Sequence, residues 1–188
     1  MLNNLLTNPI FWISVYFIGF VIAIIILSLP RLFTGVEKKL PKVLLKIYIM
    51  SVFIAPPMAL PFTKGPEIAI PAYVSLSLGI FLLVMNFVIK ILAQKKIGAL
   101  PGLKRKAKLI TTGIYGIVRN PLYMSNGLLA IGMAVLLKSM YALIFSIPYS
   151  LSYLLIIYFE EKDLMEKYGN EYQEYMKKVP YRIIPRLF

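Results

Sequence analysis

Arg119, Glu160 and Glu161 are charged residues at the ends of apolar stretches. Tyr115 and Tyr123 flank the arginine in the run GIYGIVRNPLYMSNG, residues 113–127. A guanidinium holds a carboxylate or a phosphate, and a carboxylate holds an ammonium or a hydroxyl. A tyrosine ring can take a cation on its face. Asn120 is a good N-cap and Pro121 a good first helical residue, so a helix starts beside Arg119 with its free N–H groups and positive dipole end there. Such an end is a ready anion site. Two plainer readings stand beside this one. Asn-Pro is an ordinary helix start, and an arginine at a span end often only snorkels. A pairing of Arg119 with the glutamates reads equally as a structural ion pair or as a mixed site for a zwitterionic ligand.

The elements that must position these residues are membrane helices. The chain has 188 residues, 59% of them hydrophobic, with a mean hydropathy of +0.76. That is too apolar for an ordinary soluble domain. Five apolar segments stand out, at residues 10–29, 43–62, 68–93, 122–137 and 141–159. Twenty residues make about 30 Å of helix, which matches a bilayer core. All but Lys64 and Lys138 of the 21 basic residues fall on one side of a five-span arrangement. The expected fold class is therefore an all-α integral membrane protein of about five transmembrane helices, N-terminus outside and C-terminus cytoplasmic. The first span carries no Lys or Arg in its flank and no cleavage-like stretch after it, so it is expected to be retained. The net charge of +13 then reflects topology and anionic lipid, and no nucleic-acid partner is expected.

Three residues separate spans four and five, which therefore form an antiparallel hairpin. Thr112 is expected to cap a short interfacial helix at residues 113–119, with Tyr115 and Arg119 on one face. The fifth helix is expected to run past the membrane and stop at Gly169, with Asn170 capping an amphipathic helix at 171–178 that carries Tyr172 and Tyr175 on one face. Those tyrosines read as an aromatic belt at the lipid surface or as a lid over the polar mouth. Residues 1–93 form the lipid-facing, acceptor-side part and residues 94–188 the ligand-binding part.

The chain has no cysteine and no histidine. Disulfides, thiol nucleophiles and imidazole bases are excluded, and no metal site is expected.

The run KLITTGIYGIVRNPLY, followed by EEKDLMEKYGNEYQEYMKKVPYRIIP, resembles the isoprenylcysteine carboxyl methyltransferase family and the related phospholipid methyltransferases. The resemblance covers roughly residues 94–185. It rests on Gly113 and Tyr115; on Arg119, Pro121 and Tyr123; on Glu160 and Glu161; on Gly169, Tyr172 and Tyr175; and on Pro180 and Pro185. Asn120 stands where the family has a histidine, and asparagine cannot titrate.

The resemblance implies S-adenosylmethionine as cofactor, with Gly113, Tyr115, Arg119, Asn120, Pro121, Tyr123, Glu160 and Glu161 around it and Arg119 and Glu161 as the catalytic pair. It implies a lipid or lipidated acceptor, either a prenylcysteine-like carboxylate or a phospholipid headgroup. The membrane would be the plasma membrane of a prokaryote or the endoplasmic reticulum of a eukaryote. A carboxylate acceptor needs no base. An amine must shed a proton, for which Glu160, Glu161, Asp163 or water are available. The competing function is a non-catalytic lipid-binding or scaffold protein, with Asn120 marking a lost activity. A small transporter is disfavoured, because no internal repeat and no charge inside a span is present.

Overall fold

The computed structural model describes residues 5–28, 44, 47–48, 50–97 and 108–187. Among these residues the chain is all-helical, with no strand. Helix α1 is Pro9–Ser28. A π-helical turn, Met50–Ile54, leads into the short α2, Ala55–Ala59, and a 3-10 turn, Leu60–Phe62. Helix α3 is Ala72–Ile97. A second 3-10 turn, Gly113–Gly116, precedes α4, Pro121–Leu136. Then come α5, Met140–Tyr168, and α6, Asn170–Lys178.

Two of these helices are long and apolar enough to cross a membrane, within Ala72–Lys96 and Met140–Tyr168, and three apolar helices are shorter. Their outer faces are bare hydrocarbon. Phe81, Val84 and Phe87 on α3, and Ile144, Ile147 and Leu151 on α5, are all exposed. A contiguous apolar surface of this kind needs lipid against it.

The boundaries follow local chemistry. The second apolar segment, expected as one span over 43–62, is broken in its described part into three short pieces. Pro56, Pro57 and Pro61 remove the donors a continuous ladder would need. The third begins at Ala72 rather than at 68, because Pro66 and Pro71 hold residues 63–71 in irregular backbone, and it runs on to Ile97. Pro148 lies inside α5 without ending it. The basic residues Arg31, Lys38, Lys39, Lys42, Lys46, Lys104, Arg105 and Lys106, and the glycines and proline expected to loosen residues 98–102, lie outside the described residues.

Packing places α4 between α3 and α5. Glycine makes the α3–α4 seam close: a β-carbon at Gly79 would lie 2.7 Å from the Leu136 Cα, and one at Gly132 would lie 3.0 Å from Leu83. On its other side α4 meets α5 and α1 around Tyr16, Phe20, Ala130, Ala134, Phe145, Tyr149 and Tyr153. The tyrosine hydroxyls in this core are paired, as burial requires. Tyr16 bonds Ser152, Tyr153 donates to Tyr149 at 2.7 Å, and Tyr149 donates to the Phe53 carbonyl at 2.8 Å. That carbonyl belongs to the π-helical turn, where the regular ladder is interrupted.

The α4–α5 turn closes one end of the bundle. Ser139 caps α5 by accepting from the Ala142 N–H. The Ile68 N–H donates to the Lys138 carbonyl at 2.8 Å and the Met140 N–H to the Pro66 carbonyl at 3.0 Å. Lys138 pairs with Glu67, and the Lys64 N–H meets the Thr7 carbonyl at this same end. The starts of α4 and α6 and the end of α5 lie at the opposite end.

Candidate functional site

The site is built where α4 starts, because the antiparallel hairpin brings the last turns of α5 beside it. Arg119 lies just before α4 and Glu161 near the end of α5. The guanidinium meets one carboxylate oxygen twice, from Nε at 2.9 Å and from Nη2 at 2.8 Å. Its Nη1 donates to the carbonyls of Val179 at 2.7 Å and Pro180 at 2.8 Å. Arg182 donates from Nε to the other Glu161 oxygen at 3.0 Å. The chain after α6 is strapped to the same point through its backbone. The Arg119 N–H donates to the Tyr181 carbonyl at 2.9 Å, and the Asn120 N–H to the Arg182 carbonyl at 2.8 Å. One carboxylate thus bridges two guanidiniums and ties the start of α4, the end of α5 and the C-terminal strap together.

Burial of a charge is tolerated only when it is paired and hydrogen-bonded, and Arg119 is 9% exposed. At least four of its five N–H donors are committed inside the protein. The sequence left open whether Arg119 points at a ligand or at a glutamate. The structure pairs it with Glu161.

Glu160 is one residue before Glu161 and about 100° around the helix, so it meets a different neighbour. Tyr123 donates to Glu160 Oε1 at 2.7 Å. The Tyr123 ring lies on the Tyr153 ring, centroids 4.8 Å apart, and Asn126 donates to the Tyr153 hydroxyl at 3.2 Å. Tyr115 is buried, and burial, with Tyr175 and Glu160 nearby, raises its pKa. It is a neutral O–H at neutral pH. That hydroxyl and the Asn120 Nδ2 are buried with no hydrogen-bond partner. Such orphans are uncommon and each asks for an explanation.

The local backbone differs from the sequence reading in three ways. Thr112 and Asn120 occupy cap positions, but neither side chain caps its helix. The short helix expected over 113–119 is a single 3-10 turn ending at Gly116, so Tyr115 and Arg119 do not share a helical face. Asn170 is the first residue of α6, and Gly169 holds the cap position. Gly169 has φ +51 and Gly113 φ +68, a region that L side chains rarely adopt.

Helix α6 supports the site from outside the bundle. Tyr172, Tyr175 and Val179 form a second core with Leu109, Leu164 and Met165 around them. Tyr175 donates to the Tyr115 carbonyl at 2.7 Å and so fixes the 3-10 turn. These two tyrosines are buried in protein and do not form a lipid-facing belt.

All eight residues singled out, Gly113, Tyr115, Arg119, Asn120, Pro121, Tyr123, Glu160 and Glu161, come to this one end. Arg119 and Glu161 join Arg182 in a clasp, Tyr115, Asn120, Tyr123 and Glu160 form a polar cluster at the same end, and Gly113 and Pro121 open the two turns that carry them. Sequence reasoning missed Arg182, and it named Tyr175 without its bond to the 3-10 turn. Lys96 runs alongside Gly113, where its Cε would stand 3.1 Å from an added β-carbon. Two cationic residues, Lys95 and Lys96, in the last turn of α3 read as an ordinary helix end, and nothing local marks the difference.

Residues 74–171 match the phospholipid methyltransferase family. The chain is also similar to the Delta(14)-sterol reductase TM7SF2 of Mus musculus, 34% identical over 95 residues, which cover 43% of this chain and 20% of that protein. The chain thus spans about a fifth of the length of that relative, which is named for a different reaction. The matched segment holds α4, all but the first residues of α3, the whole of α5 and the clasp and cluster residues other than Arg182.

Proposed function

The chain belongs to the phospholipid methyltransferase family, and from that premise we propose that it is an integral-membrane, S-adenosylmethionine-dependent methyltransferase acting on a lipid-like or lipidated acceptor. The observation that carries this reading is the polar cluster: a Glu160 carboxylate held by Tyr123, and two buried, unpartnered donors at the same end, the Tyr115 hydroxyl and the Asn120 amide. This donor set fits the cofactor, whose polar groups are an ammonium, a carboxylate, ribose hydroxyls and an adenine. When bound, that cofactor supplies a methyl group activated by a sulfonium.

In this reading Glu160 holds the ammonium or a ribose hydroxyl. Tyr115 and Asn120 donate to acceptor atoms that the folded chain leaves them without. The faces of Tyr115 and Tyr123 pack on the adenine or face the sulfonium. Methyl transfer is an in-line displacement, so alignment and exclusion of water carry most of the work. Arg119 and Glu161, the catalytic pair of the sequence reading, act here as positioning residues that hold the mouth of α4 and the strap in place.

The acceptor is a phospholipid headgroup or a prenylcysteine-like carboxylate, in the manner of the isoprenylcysteine carboxyl methyltransferases. A headgroup amine would hand its proton to Glu160 or to water, since no imidazole is available. A carboxylate would need no proton transfer. The acceptor would enter from the bilayer at the end of the bundle where α4 starts.

Five crossings, N-terminus outside and C-terminus cytoplasmic, complete the proposal. Lys64 and Lys138 at one end of the bundle, and Lys95, Lys96, Arg119 and Lys162 toward the other, are the distribution the positive-inside rule favours. The chain lacks cysteine, so single cysteines at positions 64 and 178 can be labelled from each side. Labelling of both from one side sinks the topology.

The test of function is titration of purified protein in nanodiscs with S-adenosylmethionine, read by calorimetry. Saturable binding that Glu160→Gln weakens supports the reading. A folded protein that binds no cofactor at millimolar concentration supports the alternative, a non-catalytic lipid-binding or scaffold protein in which Asn120 marks a lost activity.

A further inference from the structure

The anion holder expected at this site was Arg119, and the structure spends that residue elsewhere. At least four of its donors go to Glu161 and to two carbonyls of the strap. A cofactor or a lipid acceptor still brings an anionic group, so another cation must meet it. Lys96 fits on three grounds.

The first is position. Lys96 is in the last turn of α3, and its chain passes directly over Gly113, with Cε 3.1 Å and Nζ 3.9 Å from where a side chain there would begin. Gly113 opens the turn that carries Tyr115. The second is space. Gly113 has φ +68, and a side chain at that position would push against Lys96. A glycine here leaves room for the lysine to lie across the turn. The third is the company. Tyr115, two residues on, is 8% exposed, and its hydroxyl is buried without a partner. The Asn120 amide is a second unpartnered donor in the same loop. An ammonium over the turn that carries an unpartnered donor gives an anion two groups to meet.

We propose that Lys96 is the cationic anchor of this site and binds the anionic group of the ligand, a carboxylate or a phosphate, in the role first expected of Arg119. The inference rests on the methyltransferase reading and deepens it. The carboxylate would come from the methionyl part of the cofactor, and the phosphate from a phospholipid acceptor.

Lys96 is solvent-exposed, so its replacement leaves the fold intact, and thermal unfolding of Lys96→Gln checks this. The parent protein, Lys96→Gln and Lys96→Arg are each titrated in nanodiscs with S-adenosylmethionine and with its decarboxylated analogue, and the KM for a phospholipid acceptor is measured in vesicles of that lipid. If the anchor holds the cofactor, Lys96→Gln weakens S-adenosylmethionine about tenfold, leaves the decarboxylated analogue unchanged, and Lys96→Arg restores most of the affinity. If it holds the lipid phosphate, cofactor affinity is unchanged and the acceptor KM rises about tenfold with kcat unchanged. If Lys96→Gln alters neither affinity nor KM, the inference is overturned while the methyltransferase reading stands. If the parent protein binds no cofactor, both fall together.

Discussion

Arg119 and Glu161, 42 positions apart in the chain, form a buried ion pair in which Arg119 Nη2 lies 2.8 Å from Glu161 Oε1. The pair joins the start of α4 to the end of α5, and through the Val179 and Pro180 carbonyls it also holds the strap. Removing Glu161 leaves the buried Arg119 without a counter-charge, and removing Arg119 leaves Glu161 with only the more exposed Arg182. Arg119→Ala or Glu161→Ala is expected to cost about 3–5 kcal/mol of stability, seen as a large fall in Tm of the purified protein. Replacing both with apolar residues of similar size, Arg119→Met with Glu161→Leu, should recover much of that loss. If the double variant is no more stable than either single one, the pair is not a closed unit.

Tyr115 offers the opposite signature. Its hydroxyl is buried and unpartnered, which costs the folded chain free energy that the ring does not. Tyr115→Phe is expected to leave stability unchanged or raise it by about 1 kcal/mol, and to weaken cofactor binding. The two effects are read by thermal unfolding and by calorimetry on the same sample. A marked loss of stability would mean that the hydroxyl has a partner in the folded protein.

Alkaline pH should loosen α6. Burial raises the Tyr175 hydroxyl to about 12, against about 10 in an unfolded chain. The neutral form is favoured in the folded state, so its contribution is complete below pH 10 and is lost as pH rises from 10 to 12. Tyr172 and Tyr115 are raised in the same direction. Stability measured between pH 9 and 12 should fall, and Tyr175→Phe should make that fall shallower. An equal slope in the variant would show that Tyr175 does not titrate in this range.

At the α3–α4 seam a glycine lets one helix come against the backbone of another. A methyl group at Gly79 would stand 2.7 Å from the Leu136 backbone, and backbone cannot step aside as a side chain does. Gly79→Ala should cost about 1–3 kcal/mol through overpacking, although alanine is the better helix former. Denaturation in detergent reads the difference, and a stabilised variant would mean that the helices part more easily than this contact implies.

Much of the scaffold was legible because it follows local rules. Apolar segments long enough for a bilayer become helices, and Pro121 and Gly169 mark a start and a stop wherever they occur in a suitable pattern. The short connection at residues 137–139 allows only an antiparallel hairpin. Where local rules compete, the reading missed. Thr112 and Asn120 are good cap residues by type, yet other contacts decide their side chains. Pro56, Pro57 and Pro61 change the helix type within residues 50–62, because a proline supplies no N–H to the ladder, and Pro66 and Pro71 lie in the irregular stretch that delays α3.

The sequence by itself determined that the chemistry here must proceed without imidazole or thiol, and that Arg119, Tyr123 and the two glutamates are gathered at one end of a helical hairpin. Hydrophobic length and hairpin connectivity are enough for both. Only the tertiary structure decided which glutamate serves which purpose. Neighbours on a helix point about 100° apart, so Glu161 turns to Arg119 and the strap while Glu160 turns to Tyr123. It alone showed that Arg119 is spent on the fold and that Lys96 lies across Gly113. Those outcomes depend on where three separate chain segments come to rest against each other, which no local pattern of residues encodes.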